Sequence, residues 1–228
     1  MSYEKVEGSE LYMETFECHC VWGWLFVSFV GAACHFLYAL SHCSWVVGLL
    51  VAVNESVFEH LKLLIFPILI WWLIIIPAIW AWEMERPVWM RFYAGGGVWN
   101  SFEMVIALSH ASAACAGVLS GTVFIALVFL FVYRVCGYEA LWLDILIFVA
   151  AAFVAQWAAW SALSSFLKGG RLLNGCDALL IVVILGALLG MYLSFTDRPP
   201  QGPGAELIFL DTSDKNNTFY GRPATCKK

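Results

Sequence analysis

The residues able to do chemistry crowd into one stretch, Asn54–Lys62, which reads Asn-Glu-Ser-Val-Phe-Glu-His-Leu-Lys. Two carboxylates, an imidazole, an amine, a hydroxyl and an amide sit there between strongly apolar runs. On a helix Glu55, Glu59 and Lys62 fall at i, i+4 and i+7 and share one face, with Ser56 and His60 on the adjacent face. Two carboxylates one turn apart in a low dielectric repel. One of them must therefore be protonated, paired with Lys62, or bound to a metal. Each state is productive: a general acid, a neutralised pair, or half of a metal site that needs a histidine as well.

A plainer reading competes with this. Ser56-Val57-Phe58-Glu59 fits the S-x-x-E capping box of a helix N-terminus. Asn54 and Glu55 would then complement the positive end of the helix dipole. Capping accounts for Asn54, Ser56 and Glu59, but it leaves His60 and Lys62 without a reason to be there.

The elements that must position this stretch are membrane spans. The chain has 228 residues, 62% of them hydrophobic and only 13% charged, with 12 tryptophans, and its mean hydropathy is +0.80. Those values exclude an ordinary soluble domain. A spanning helix needs about 20 apolar residues, and runs of that length recur. No basic stripe or motif for nucleic acid is present. The eight cysteines include no C-x-x-C pair. Most fall in or beside apolar segments, where cysteine acts as a small hydrophobe, so the sequence settles no redox compartment.

The expected fold is all-α: a polytopic membrane helical bundle of about five transmembrane helices with a short interfacial or re-entrant segment. Residues 1–19 form an acidic N-terminal extension, 20–196 the transmembrane domain and 197–228 a Pro/Gly-rich polar tail. The first span runs over Val21–Leu40, and Trp45–Val53 is too short to cross. The second span starts inside the motif and continues to about Trp82, interrupted by Pro67 and Pro77, each of which removes a backbone bond and bends the helix. Ser101–Arg134 would be about 50 Å long as one helix, too short for two spans and a turn, so it reads as a single long or tilted helix. Gly117-x-x-x-Gly121 gives it a close-packing face. Ala140–Phe166 is the fourth span. Cys176–Phe195, with Gly186-x-x-x-Gly190, is the fifth.

Tracing direction through these spans defines an end A, where the N-terminal segment lies, and an opposite end B. His35, Asn54–Lys62, Tyr133, Arg134 and Asp144 all reach end B, as do Asp197 and Arg198. Lys5, Arg86, Arg91, Lys168 and Arg171 lie towards end A, against Lys62, Arg134 and Arg198 towards end B, a bias that places end A in the cytoplasm. A glycosylation sequon, Asn216-Asn217-Thr218, falls on the end-B tail. Intramembrane ionisable groups default to a functional hypothesis. Gln156, mid-span, suits an interhelical hydrogen bond, and His110 enters from end A and stays outside the convergence. Asp144 would pair with Arg134 or Lys62.

Val53-Asn54-Glu55-Ser56-Val57-Phe58-Glu59-His60-Leu61-Lys62-Leu63, preceded by His35-Phe36 and followed by Phe66-Pro67, resembles the signature of a largely bacterial family of small integral membrane proteins. That family is a domain of unknown function with an N-E-S-V-W/F-E-H-L-K core. Gly137, Leu143-Asp144-Ile145-Leu146-Ile147-Phe148, Gln156 and the tail residues Phe195-Thr196, Pro199-Pro200, Phe209-x-Asp211 and Tyr220-Gly221 extend the similarity over most of the chain. The tail departs from the pattern by being longer on both sides of Phe209. The resemblance implies a compact helical bundle with the tail folding back over end B, and implies no established reaction.

Three functions follow from the residues. In the first, a membrane hydrolase, Glu55, Glu59, His60 and Asp144 act as acid/base groups on a lipid-like substrate. His35, Glu59, His60 and Asp144 would hold a divalent metal, zinc or iron, that lowers the pKa of an attacking water. No H-E-x-x-H spacing is present. In the second, a proton-coupled carrier, Glu55, Glu59 and Asp144 titrate and the prolines of the second span act as hinges; the lack of inverted repeats counts against it. The third is a non-catalytic membrane subunit whose polar cluster, with Asn54, Ser56, Lys62 and Gln156, holds the bundle together. All three are partnered by the lipid bilayer and none by nucleic acid.

Overall fold

The computed structural model describes residues 3–54, 56–83, 101–137, 140–167, 183–184, 186–187, 189–195 and 205–209. For 3–18, 80–83, 101–108, 134, 141, 166–167 and 206–207 the backbone alone is described. The fold is all-helical. Helix α1 covers Tyr3–Leu40, α2 Trp45–Gly48, α3 Val57–Ile70, α4 Ile76–Glu83, α5 Ser101–Leu130 and α6 Leu141–Leu167. π-helical turns, Trp71–Ile75 and Phe131–Val135, follow α3 and α5. A last short helical turn is Glu206–Phe209.

Among the described residues four helices are long and apolar enough to cross a membrane: His19–Leu40, Val57–Ile79, Ser109–Tyr133 and Trp142–Ser165. Phe29, Phe36, Val123, Leu127, Phe153 and Trp157 point outward from them, as side chains facing lipid must. The chain is a multi-pass membrane protein. Of the expected fifth span, Cys176–Phe195, residues 183–184, 186–187 and 189–195 are described, and all of these are helical. α1 runs unbroken from Tyr3 through the acidic N-terminal stretch into the first span.

α3 is the hub, packed against α1, α5 and, more lightly, α6, while α5 and α6 form the most extensive pair. Small residues allow that closeness. A Cβ on Gly121 would stand 2.7 Å from Leu64 Cδ2 and 2.8 Å from Ala155 Cβ, so the expected packing face of α5 exists. At Gly186 and Gly190 an added Cβ meets none of the described residues within 4 Å, so the second small-residue pattern packs against none of them.

α3 carries on through Pro67 to Ile70 before the π turn. Proline lacks the N–H that would bond the carbonyl four residues back, that of Leu63. Gly31 of α1 lies against this same carbonyl, where a Cβ would come within 2.6 Å of the oxygen. Beyond the π turn's start, the adjacent indoles Trp71 and Trp72 are both buried, and Trp72 Nε1 donates to Gln156 Oε1 at 3.0 Å. The interhelical bond expected of Gln156 is therefore made, between the second and fourth spans.

Candidate functional site

The site is built where α1 gives way to α3 at end B. After Leu40 the chain turns sharply, with His42 and Cys43 both left-handed at φ 54° and 62°. Cys43 N–H donates to the Tyr38 carbonyl and His42 N–H to that of Ala39, both at 3.1 Å. The four-residue α2 follows, and Val51, Ala52 and Val53 tuck into the bundle. Trp45, Val46 and Leu50 stay exposed, so the short apolar stretch lies across the end of the bundle and does not cross it.

α3 then begins with Ser56 at its N-cap, whose Oγ accepts from Glu59 N–H at 3.3 Å. Only half of the expected capping box forms. Ser56 N–H donates to Asn54 Oδ1 at 3.0 Å, so the asparagine takes the place that Glu59 would have had. The Glu59 carboxylate is thereby released for another partner. Its Oε2 accepts from Val53 N–H at 3.0 Å and from Lys62 Nζ at 2.6 Å. Lys62 Nζ also donates to the Gly48 carbonyl at 3.1 Å and stands 5.7 Å from the Phe58 ring centroid. The side chains of Lys62 and Glu59 are 0% and 4% exposed. This is a fully internal ion pair completed by the backbone of the preceding loop.

His60 faces elsewhere. Its Nδ1 lies 2.9 Å from the Ser56 carbonyl, and since a carbonyl only accepts, Nδ1 carries the proton. Its ring approaches His35 at 5.6 Å and Phe129 at 5.4 Å between centroids. Phe129 contacts Tyr133 at 5.2 Å, and Tyr133 OH donates to Asp144 Oδ1 at 2.6 Å. The bundle thus brings His35 to His60, and Lys62 to Glu59, as two separate pairs. Asp144 pairs with Tyr133, not with Lys62; the side chain of Arg134 lies outside the described residues. Among the described residues no three His, Cys, Asp or Glu side chains converge where they could hold a metal ion. His35, Glu59, His60 and Asp144 therefore do not form the donor set a metal would need. Glu55, the second carboxylate of the motif, lies outside the described residues.

Several participants carried no sequence signal as site residues. The Gly48 carbonyl and Val53 N–H are backbone groups, which no side-chain pattern reveals. Phe58 gathers Tyr192 in a stacked contact at 4.9 Å, Phe209 at 4.9 Å and Phe195 at 6.0 Å. Phe195 and Phe209 belong to the tail similarity, and their place on Phe58 shows the C-terminal part returning to end B.

No curated protein and no solved structure matches the chain. A family model does, over residues 12–213, a range that takes in the whole of the motif and the aromatic residues that return to it. The chain belongs to the Family of unknown function (DUF6512).

Proposed function

We propose that this protein is a non-catalytic membrane helix-bundle subunit whose end-B polar network fixes one packing of the spans. The observation that carries this reading is the Glu59–Lys62 pair, 2.6 Å apart, buried, and completed by Val53 N–H and the Gly48 carbonyl. An amine and a carboxylate engaged in this way hold a loop and a helix together; they do not face a substrate. A pair of this kind adds little net stability over apolar residues of the same size, because desolvation costs several kcal/mol per ion. What it confers is specificity, since any register that separates the partners leaves a charge in hydrocarbon. The Lys/Arg bias supports an orientation with end A in the cytoplasm.

A proton-coupled carrier is the second reading, favoured by one observation: one π-helical turn lies within a membrane-spanning helix and the other straddles the end of one, and the latter contains Tyr133, the partner of Asp144. Such turns cluster at functional sites in helices that change shape. The hydrolase reading rests on a donor set that the described residues do not assemble.

The test is a double-mutant cycle on purified protein, with metal analysis and vesicle proton flux in parallel. Under the proposal Glu59→Met and Lys62→Met each destabilise by about 3–5 kcal/mol, and the paired Glu59→Met/Lys62→Met change restores most of the loss. Stoichiometric metal that disappears with Glu59→Gln or His60→Ala would overturn the proposal in favour of the hydrolase. Well-folded single variants that abolish proton flux would overturn it in favour of the carrier.

A further inference from the structure

Where α1, α3 and α6 meet, two indoles have found acceptors. Trp24 Nε1 donates to the Val149 carbonyl at 3.1 Å, and Trp72 Nε1 to Gln156 Oε1 at 3.0 Å. An indole N–H only donates, so the second bond fixes the amide: Oε1 faces Trp72, and Nε2 with its hydrogens is turned the other way. Gln156 Nε2, Trp71 Nε1 and Trp160 Nε1 are sealed from solvent, and none has an acceptor among the described residues. Buried donors without acceptors are costly, and native proteins leave few of them.

These donors are neighbours. A Cβ on Gly23 of α1 would stand 2.5 Å from Trp71 Nε1 and 3.0 Å from Gln156 Cδ, so the two groups meet over a residue that has no side chain. Trp160 lies one helical turn beyond Gln156 on the same face of α6. Gln156 and Trp71 are 2% and 6% exposed. Trp160 is half-buried, and its ring lies 5.7 Å from that of Trp157, which points outward. The cluster therefore reaches from the bundle interior to the lipid-facing surface. By helix rise Gln156 is about 13 Å from the Ser165 end of its span, well inside the hydrocarbon.

The cluster offers N–H groups alone, because Gln156 Oε1 is already engaged by Trp72. Its complement is an acceptor that brings no hydrogen of its own. An anion at this depth would carry a large desolvation cost, which leaves a neutral oxygen. A water would bring two hydrogens that need acceptors in turn, whereas a carbonyl brings only lone pairs. We propose that Trp71, Gln156 and Trp160 form a lipid-accessible site for the carbonyl group of a neutral, apolar membrane molecule, a quinone or an acyl ester. Trp71 and Gln156 donate to the oxygen inside the bundle, Trp160 donates at the lipid edge, and the apolar chain lies along Phe153 and Trp157. The site is separate from the end-B network and does not depend on the reading given to that network.

The test is a titration of purified, isotope-labelled protein in detergent, followed through its indole N–H resonances. The probes are a decyl benzoquinone, methyl laurate, and decylbenzene, which has a chain and a ring but no carbonyl. A carbonyl probe is expected to saturate and to move the Trp71 and Trp160 resonances downfield, each assigned by its loss in Trp71→Phe or Trp160→Phe. The tighter of the two carbonyl probes identifies the source as quinone or ester. Removing one donor, in Trp160→Phe or Gln156→Met, is expected to weaken binding about 2- to 10-fold. Gly23→Ala removes no donor, but its methyl group fills the place where Trp71 and Gln156 meet, and binding is expected to be lost. Trp160 is half-buried, so Trp160→Phe is the variant expected to keep the wild-type thermal midpoint, and an unchanged affinity in it overturns the site. Equal shifts with decylbenzene, no shift with either carbonyl probe, or cross-peaks to a bound water that neither probe displaces would each overturn it as well.

Discussion

Lys62 and Asp144 show how differently two ionisable residues near the starts of their helices can be handled. Lys62 is sealed from solvent and held by an anion and a carbonyl, whereas Asp144 is only half-buried and accepts from a neutral phenol. Asp144→Asn keeps an acceptor for Tyr133, so thermal or denaturant unfolding should show a loss below about 1 kcal/mol. That contrasts with about 3–5 kcal/mol for Glu59→Gln, which strands the Lys62 charge. Ser56→Ala removes the N-cap acceptor of Glu59 N–H and should cost about 1 kcal/mol by the same measurement. A loss as large as that of Glu59→Gln would mean that Ser56 does more than cap. The motif residues were legible from spacing alone, because i, i+3 and i+4 relations follow from helix geometry. The Glu59–Lys62 pairing and the Ser56 cap belong to that class. The hand-over of the Ser56 N–H to Asn54, which frees the Glu59 carboxylate, needed the local backbone path.

At the scale of elements, span boundaries came from apolar run length, and four of the expected spans are present within a few residues. Packing faces were less legible. Gly117-x-x-x-Gly121 and Gly186-x-x-x-Gly190 are equal as sequence patterns, but only the first meets a described neighbour. Gly121→Leu should therefore destabilise by about 1–3 kcal/mol or more through overpacking against Leu64 and Ala155. Differential scanning of this variant beside the wild type in one detergent checks the loss, and an unchanged midpoint would refute it. α3 likewise continues through Pro67, and Gly31 of α1 lies against the freed Leu63 carbonyl. A proline's effect depends on what approaches the carbonyl it leaves unbonded, and that approach is made by another helix.

Across the whole molecule, Phe58 ties the start of α3 to the C-terminal part through Tyr192, Phe195 and Phe209. Phe58→Ala should lose about 3–5 kcal/mol and speed proteolytic cleavage around Phe209. Unchanged cleavage would show that the tail is held by other contacts.

By itself the sequence determined an all-helical membrane protein, the direction of its spans and the concentration of ionisable groups at one end, because apolar run length and helical periodicity are local properties. Whether those groups form one site was not local. His60 and Glu59 are chain neighbours, but about 100° of helical rotation separates them, so each is turned to a different partner. Only the folded chain could bring the Gly48 carbonyl to Lys62 and the Val53 N–H to Glu59, set His35 against His60, and give Asp144 to Tyr133. The reason is physical: a polar group in an apolar bundle bonds to whatever partner the neighbouring helices bring within about 3 Å, and sequence spacing does not encode which helix that is.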